Sequence, residues 1–576
     1  MVPKPLLGSL GDQAPTNARY IMANAIALPL LPDVPRLTSL QPLDGACAPR
    51  LRVNLALGII VIVSESMFNP YRYQQQLNQP FSFDRLYSHP GSLDSYDSQG
   101  SRQSIGIIGG GIAGLTCAYE LSQLQHQVTL LEASGRLGGR IYTHYFSDGT
   151  HAELGAMRVP ASHGCTLHYM DKFKLKRRQF VSYNPAAYYY LRGQKTRLNK
   201  YKPLLYNYNL TPEEQQDPAV IYETILEELI ESLSNQEKWE MFSPSFTSSR
   251  LREYDSLSVT QYFRDRLSPD AFEFVGHATG MLHYNQVSLL NGLIDFLAWH
   301  RVEQYKLVGG METLVNAFAE RIPGDIQTQA QVTAIELTDS GVKLHWNSLQ
   351  GKQSAEFDFV ICTVPTTALA KIDFDPPLPV KQREAINSLG YCSAAKTLFH
   401  CTARPWEFED GIYGGGSFTD LNIEKCWYPD DNAILADKQS DNPDWIACDR
   451  ERSHQPSAFT AAYRWEGNSR KFRSLEEGDR TELTLREVKQ LHPQIEPYVD
   501  DIVHYIWDEK AKLGSGSYAF FAPGEHERYQ GWLGESYPHQ QPRVFFAGEH
   551  LGINHASVQG AIQTALAATI DVLENS

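Results

Sequence analysis

Three glycines at the spacing G-x-G-x-x-G, Gly109, Gly111 and Gly114, follow an apolar β-branched run, Ser104-Ile105-Gly106-Ile107-Ile108. A second apolar run, Val128-Thr129-Leu130-Leu131, ends in an acid, Glu132. This spacing suits dinucleotide binding. Gly109 permits a tight turn, and Gly111 lets backbone amides approach a pyrophosphate. Gly114 lets the next helix lie on its strand with its N-terminus towards the phosphate charge. Glu132 is placed to accept ribose hydroxyls. A lone glycine motif is weak evidence because ordinary turns share it, but here strand, helix and acid all fall where the mechanism needs them. Just beyond, Arg136-Leu137-Gly138-Gly139-Arg140 adds a second glycine turn and two guanidinium groups able to hold more of a long cofactor. Two further residues have the chemistry of a site. Arg158 lies in the small-residue loop Glu153-Leu154-Gly155-Ala156-Met157-Arg158-Val159-Pro160, where its planar fork is available to a cavity and suits a carboxylate. A surface salt bridge is the ordinary role for such an arginine. Lys396 sits in the strand-like run Ser393-Ala394-Ala395-Lys396-Thr397-Leu398-Phe399. Burying its ammonium costs free energy unless a partner is found, which invites a functional account; an edge-strand lysine guarding against aggregation is the alternative.

The pattern around these residues is that of the elements needed to hold them. The run of residues 104–132 is a βαβ unit. At the other end of the chain, Pro542-Arg543-Val544-Phe545-Phe546-Ala547-Gly548-Glu549-His550 reads as a strand, followed by a glycine turn and a helix to about residue 573, a second anion-tolerant site. Residues 142–145 read as a strand with a hairpin signal at Asp148-Gly149, and 167–175 as a helix. Strands return at 332–337, 342–346 and 357–364. Between about 205 and 300 the period is helical. Thr211-Pro212-Glu213-Glu214 carries a capping box, and Ile221, Ile225, Leu229 and Leu233 form an apolar stripe opposite Glu223, Glu227, Glu228 and Glu231. This segment is expected to be an inserted helical subdomain covering a substrate entrance. A plain packing domain has the same periodicity.

The order of glycine loop, glutamate and R-x-G-G-R resembles the FAD-dependent amine oxidase family. The segment from Glu153 to Pro160, with Pro405-Trp406-Glu407 and Trp427-Tyr428-Pro429, looks like the L-amino acid oxidases within it. The resemblance runs from about residue 100 to the C-terminus. It implies an α/β fold: a Rossmann-like FAD domain with two dinucleotide-binding segments, a mixed-sheet substrate domain and the helical insertion. It assigns 101–165, 301–370 and 536–576 to the FAD domain, 166–204 and 371–535 to the substrate domain, and 205–300 to the helical subdomain. Cofactor contacts are implied for Gly109, Gly111, Ile112, Ala113, Gly114, Glu132, Ala133, Arg136, Gly139, Arg140, Gly155, Ala156, Met157, Arg158, Val332, Gly548, Glu549, Ser557 and Val558. In family terms Val332 meets the adenine, Glu549 the ribityl chain, and the amides near Val558 and Gln559 the flavin O2 edge. The segment 507–523, with Gly514, Gly516, Tyr518 and Phe521, is the other flavin-edge stretch. Arg158 and Tyr428 would bind the substrate carboxylate, the Ala556 carbonyl would meet its amine, and Ser557 stands where relatives often place an aromatic wall. Lys396 would hold a water against flavin N5. No cysteine occurs in 507–523 or after Glu549, so the FAD is expected to be non-covalent.

Length and composition bound the rest. With 576 residues, 42% hydrophobic and 20% charged, the chain is an ordinary globular protein of two or three domains. A formal net charge of -16 disfavours nucleic acid and anionic membrane surfaces, and mildly favours basic substrates. The eight cysteines form no C-x-x-C pair, which argues against a zinc site or disulfide scaffold and suits a reducing, cytoplasmic setting. Residues 1–100 read as a poorly ordered leader, of which 1–66 are expected to lie outside the working protein, with Met67 as the start; a processed export leader is the competing reading. The apolar run 55–63 is too short to span a bilayer. Histidines are dispersed and no metal-ligand spacing appears; His163, His283 and His555 are the ones that would approach a pocket. The expected activity is oxidative deamination of L-amino acids by hydride transfer to the flavin. Its products are a 2-oxo acid, ammonia and, with dioxygen, hydrogen peroxide, and the enzyme is expected to be a homodimer. A dehydrogenase serving a quinone, an amine or polyamine oxidase, a decarboxylating monooxygenase and a flavin-free lipid-binding escort of small GTPases with the same fold are the alternatives.

Overall fold

Runs that are apolar without alternation belong to parallel strands buried on both faces. In the computed structural model, which describes residues 81–82, 86–97, 100–300, 302–436, 445–508 and 516–576, four such strands and one short polar edge strand form one sheet. Their order is Asp325–Gln327, Gln127–Leu131, Ser104–Ile108, Phe359–Cys362 and Val544–Phe546, all parallel. The helices Ile112–Gln123 and Val558–Asn575 pack together and share one apolar core with the sheet. Gly114 is what permits the first of them to sit so close: a Cβ there would stand 1.9 Å from the Gly109 carbonyl oxygen. Beside this sheet lies a four-stranded one, Gly351–Phe357, Val342–Ser348, Gln331–Leu337 and Asp373–Asp375. The single strand expected over 357–364 is therefore two elements. They divide at Asp358, whose carboxylate accepts the amide and hydroxyl of Ser104 at 2.7 and 2.8 Å. The first of the two, G-K-Q-S-A-E-F, is a polar and largely exposed edge strand without an apolar signal.

A seven-stranded mixed sheet carries the second layer. Its order is Val499–Ile506, Ala394–Cys401, Ser457–Trp465, Lys425–Trp427, Gly416–Thr419, Tyr188–Leu191 and Gln194–Arg197. Ala394–Cys401 is central and wholly buried, with Lys396 opposite Tyr463 on one neighbour and Tyr505 on the other. The helices Pro218–Ser232, Pro269–Thr279 and Leu289–Trp299, with shorter ones between, share a core built on Leu226, Leu229, Trp239, Phe263 and Leu293. The capping box at Thr211 and Glu214 forms, but it closes a single turn, Pro212–Glu214. The long helix begins later, where Asp217 accepts the Ala219 amide at 3.0 Å. Its buried stripe is Ile221, Leu226 and Leu229, and Glu223 faces a cavity rather than open solvent.

Residues 86–97 depart from the loose leader expected of 1–100. Leu86, Tyr87 and Leu93 are buried. Gln559 and Gln563 of the C-terminal helix donate side-chain N–H groups to the carbonyls of Tyr87 and Leu86 at 3.0 and 2.7 Å. The stretch is ordered by partners far along the chain, so no local period announces it. Met67 and the run 55–63 lie outside the described residues. Among the described residues no helix is long and apolar enough to cross a membrane.

Candidate active site

One cavity of about 720 Å³ runs between the parallel sheet, the mixed sheet and the helical segment, within the range of roughly 300–1,000 Å³ usual for small-molecule sites. At one end, the turn after Ser104–Ile108 opens onto the N-terminus of helix Ile112–Gln123, which has no side-chain cap. A Cβ on Gly111 would meet only the Gly139 Cα, at 4.0 Å, and would fill part of the space that a phosphate needs. Glu132 lines the wall, its carboxylate oriented by the amides of Gly110 at 2.6 Å and Ser134 at 2.7 Å. Arg136 staples its own turn by donating to the carbonyls of Leu137, Gly139 and Ile141. Arg140 pairs with Glu549 at 2.5 Å. Glu549 also accepts the amides of Ala519 and Ala556, at 3.1 and 2.9 Å. Two carboxylate oxygens offer about four acceptor positions, so a ligand hydroxyl still has a place there. Ile112, Ala113, Ala133, Gly139, Gly155, Ala156, Met157, Val332, Gly548, Ser557 and Val558 all line this cavity, whereas Gly114 lies behind it as a packing residue. Ser557 is the N-cap of the C-terminal helix, accepting the Gly560 amide at 2.9 Å. Ala556 holds φ +60°, a strained conformation for a residue with a Cβ, and strain of this kind concentrates at working sites. Among the described residues none that lines this cavity is a cysteine. An uncapped helix N-terminus, a glycine cradle and an oriented acid together fit a bound dinucleotide.

The other end is aromatic. The Arg158 guanidinium lies among three rings, 4.9 Å from the centre of Trp427 and 5.4 Å from those of Phe180 and Trp299. It makes no ion pair among the described residues, and burial weakens its hold on its proton. A desolvated cation in an aromatic cage, opening onto a cavity, is a receptor for an anion.

Tyr428 is not its partner. Along Lys425–Trp427 the side chains alternate, so Lys425 and Trp427 face the cavity while Cys426 and then Tyr428 face the core. The Tyr428 hydroxyl bonds to Ser417 Oγ and His492 Nε2, each at 2.8 Å, and His492 Nδ1 meets Asp410 at 2.7 Å. The expectation was off by one residue on a strand, which reverses the face. Lys396 is buried just behind the Gly155–Met157 turn, donating to the carbonyls of Gly155 at 2.8 Å and Glu153 at 3.1 Å. Burial pushes its ammonium down and the nearby Glu153 carboxyl up.

Several wall residues carry no sequence motif. Tyr463 and Trp465, two apart on Ser457–Trp465, both face the cavity, and Tyr463 lies between Arg158 and Lys396, its ring centre 4.5 Å from Lys396 Nζ. Trp299 and Asp295 come from the last turns of Leu289–Trp299. Asp295 accepts the hydroxyl of Tyr284 and is met by the Trp299 indole. The alternation in A-Y-R-W was the available signal for the first pair; nothing local marks the second. His163 and His283 line the cavity and burial keeps both neutral, with His163 pushed down to about 3. His555 is packed against Phe521 and neither reaches the lining. Trp507, Gly516 and Tyr518 do, while Gly514 lies outside the described residues. Among the described residues no cluster could hold a metal ion.

A family model described as flavin containing amine oxidoreductase matches residues 112–573. The chain is 29% identical over 487 residues to the flavin-dependent L-tryptophan oxidase of Lentzea aerocolonigenes, covering 81% of this chain and 97% of that one. It is 28% identical over 478 residues to the L-amino-acid oxidase of Vipera ammodytes ammodytes, covering 81% and 92%. Among solved structures, putrescine oxidase bound to putrescine superposes with a TM-score of 0.64 at 20% identity, covering 82% of this chain and 99% of that one. Cyclohexylamine oxidase from Brevibacterium oxydans IH-35A gives 0.65 at 17% identity, with the same coverage. At that identity the likeness is one of fold. The family match begins at the N-terminus of helix Ile112–Gln123 and runs through the aromatic end of the cavity to the C-terminal helix, and the chain belongs to the flavin-containing amine oxidoreductases.

Proposed function

We propose that the protein is an FAD-dependent L-amino acid oxidase whose cofactor is held without a covalent bond. The observation that carries this reading is Arg158: a half-buried guanidinium, caged by rings, with no ion-pair partner among the described residues, in the cavity that also holds the dinucleotide cradle. The named activities of the two relatives in sequence support it. When bound, the FAD supplies two-electron oxidation of the substrate C–N bond and passes the electrons to dioxygen, so that 2-oxo acid, ammonia and hydrogen peroxide result.

The chain's own part is placement and electrostatics. Glu132 receives ribose hydroxyls, the helix N-terminus at Ile112 receives pyrophosphate charge, and Glu549 with the amides at the start of Val558–Asn575 receives the ribityl and flavin edge. Arg158 grips the carboxylate in bidentate fashion. Gripping that group fixes the carbon beside it, and near-contact geometry is worth several powers of ten in rate. Tyr463 and Tyr284, rather than Tyr428, are the tyrosines of this wall nearest in effect to Arg158. Lys396 Nζ, held by two carbonyls, stands buried behind the Gly155–Met157 turn, where desolvation lowers its hold on its proton and nearby Glu153 opposes that effect. The substrate amine must be neutral to release its electron pair, so activity rises with pH through the deprotonation of the substrate.

The test is peroxide release by purified yellow holoenzyme over the common L- and D-amino acids and matched amines. Oxidation of L-amino acids alone supports the reading. Amines turned over better than the corresponding amino acids, electrons delivered to a quinone but not to dioxygen, or a protein that stays colourless with added FAD would each overturn it.

A further inference from the structure

The charges on the cavity wall are unevenly matched. Its acids are engaged: Asp295 by Tyr284 and Trp299, Glu223 by His300 at 4.0 Å, Glu132 by two amides, Glu549 by Arg140 and two amides. Its cations at the aromatic end are not. Besides Arg158, the wall holds Lys425, which makes no ion pair and no hydrogen bond through its ammonium among the described residues. The neighbouring acid, Glu424, is turned away and accepts the Trp465 amide and the Asn468 side chain, each at 3.0 Å. Strand alternation puts Lys425 on the same face as Trp427, the ring under Arg158, so both cations address one space. The fold makes room for the ammonium. Gly280, the left-handed cap of Pro269–Thr279 at φ +78°, lies against it, and a Cβ there would stand 2.1 Å from Lys425 Nζ. Burial already pushes Lys425 down to about 8, so a partner is worth more to it than to a solvated lysine.

We infer that Lys425 receives a second carboxylate, so that the substrates of the oxidase proposed above, on which this inference rests, are dicarboxylic L-amino acids. Two desolvated cations that form no ion pair among the described residues, and whose nearest acids, Asp295 and Glu424, are already engaged elsewhere, call for a ligand with two negative charges, one for each. The whole-chain acidity that favoured basic side chains is a property of the surface; the wall is set by the few groups that face the substrate.

The experiment compares L-glutamate and L-aspartate with their amides, L-glutamine and L-asparagine, and with L-arginine and L-lysine, on the full-length holoenzyme. At least one acid is expected to exceed its amide in kcat/KM by about tenfold or more, because a site built for a polar group rejects the analogue lacking it. In Lys425→Met that ratio falls towards one, and Lys425→Arg retains part of it. A binding readout covers the case of a poorly folded variant: glutarate should perturb the visible spectrum of the wild-type flavin at lower concentration than pentanoate, again by about tenfold. Amides equal to acids in the wild type, basic amino acids preferred, or a ratio unmoved by Lys425→Met would overturn the inference. Turnover of neutral or basic L-amino acids with no preference for acids defeats the Lys425 inference alone, whereas turnover of amines and of no amino acid defeats the oxidase reading itself.

Discussion

Replacing Arg158 with methionine keeps most of the volume inside the cage of Phe180, Trp299 and Trp427 and removes only the charged fork. Among the described residues this guanidinium has rings around it and no ion pair, its nearest acid, Asp295, being held by Tyr284 and Trp299, so in the complex its direct partner is the substrate carboxylate. Truncating one member of a buried charge pair costs about 2–5 kcal/mol, much of it the penalty of leaving the other charge desolvated and unpaired. At about 1.4 kcal/mol per power of ten, kcat/KM for an L-amino acid should fall by about 30- to 5,000-fold. Most of the loss should appear in KM if the contact is made equally in ground and transition states. The assay is peroxide release against substrate concentration, alongside the amine that lacks the carboxyl group. The amine controls for indirect damage, since it cannot use the fork. Flavin absorbance per mole of protein and a thermal melt establish that the variant is folded and loaded. Arg158→Lys should recover only part of the loss, because an ammonium keeps the charge but not the planar geometry. An unchanged KM, or equal losses for the amino acid and the amine, would remove Arg158 from the binding of the carboxylate.

Glu132→Gln sets an amide NH2 against one of the two backbone amides, at Gly110 or Ser134, that orient the acid, and also weakens its acceptance of ribose hydroxyls. Loss of a charged hydrogen bond worth about 1.5–3 kcal/mol should weaken FAD binding by about 10- to 150-fold in a titration of the apoprotein followed by flavin fluorescence. Tyr428→Phe strips a buried hydroxyl from the Ser417 and His492 network and should lower stability by about 1–3 kcal/mol in denaturant melts, while KM stays within about twofold because the ring faces the core. A large rise in KM would restore Tyr428 to the site. Lys425 offers a pH test. Its folded value of about 8 lies below the ordinary lysine range, set by burial and by Arg158 against the opposing pull of Glu424, with neutral His283 also nearby. The cation is therefore present below about pH 8 and lost above it. The ratio of kcat/KM for L-glutamate over L-glutamine, in which the common amine ionisation cancels, should fall by up to about tenfold per pH unit above that point. A ratio flat from pH 7 to 10 would contradict it.

Some of this molecule was legible because the evidence was local. Gly109, Gly111, Gly114 and Glu132 read as a βαβ dinucleotide unit since each answers a steric or hydrogen-bond need within about 30 residues, and the fold places the three that must touch a ligand on one cavity wall. Arg158 was legible for the same reason: a fork in a loop of small side chains has little to bind but what enters the cavity. Lys396 announced itself through the cost of burial. The family likeness then joined distant segments that no period could connect, including the turn around Glu549.

Other features had no local signature. The stretch 86–97 is polar and irregular in sequence and becomes part of the core because Gln559 and Gln563, more than 450 residues away, satisfy its carbonyls. Whether Trp427 or Tyr428 faces the cavity depends on a one-residue register that no local pattern fixes, and pairing with Ser457–Trp465 decides it. Lys425 looked like any charged residue near the end of a strand; only the approach of Gly280 from the helical segment and the turning away of Glu424 leave its ammonium facing the cavity. Residue spacing along the chain determined that this protein is built to hold a dinucleotide, because phosphate and ribose recognition is done by consecutive backbone. The tertiary structure decided which side chains line the aromatic end of the cavity, because they arrive from separate elements and their charges count only once water has been excluded from between them.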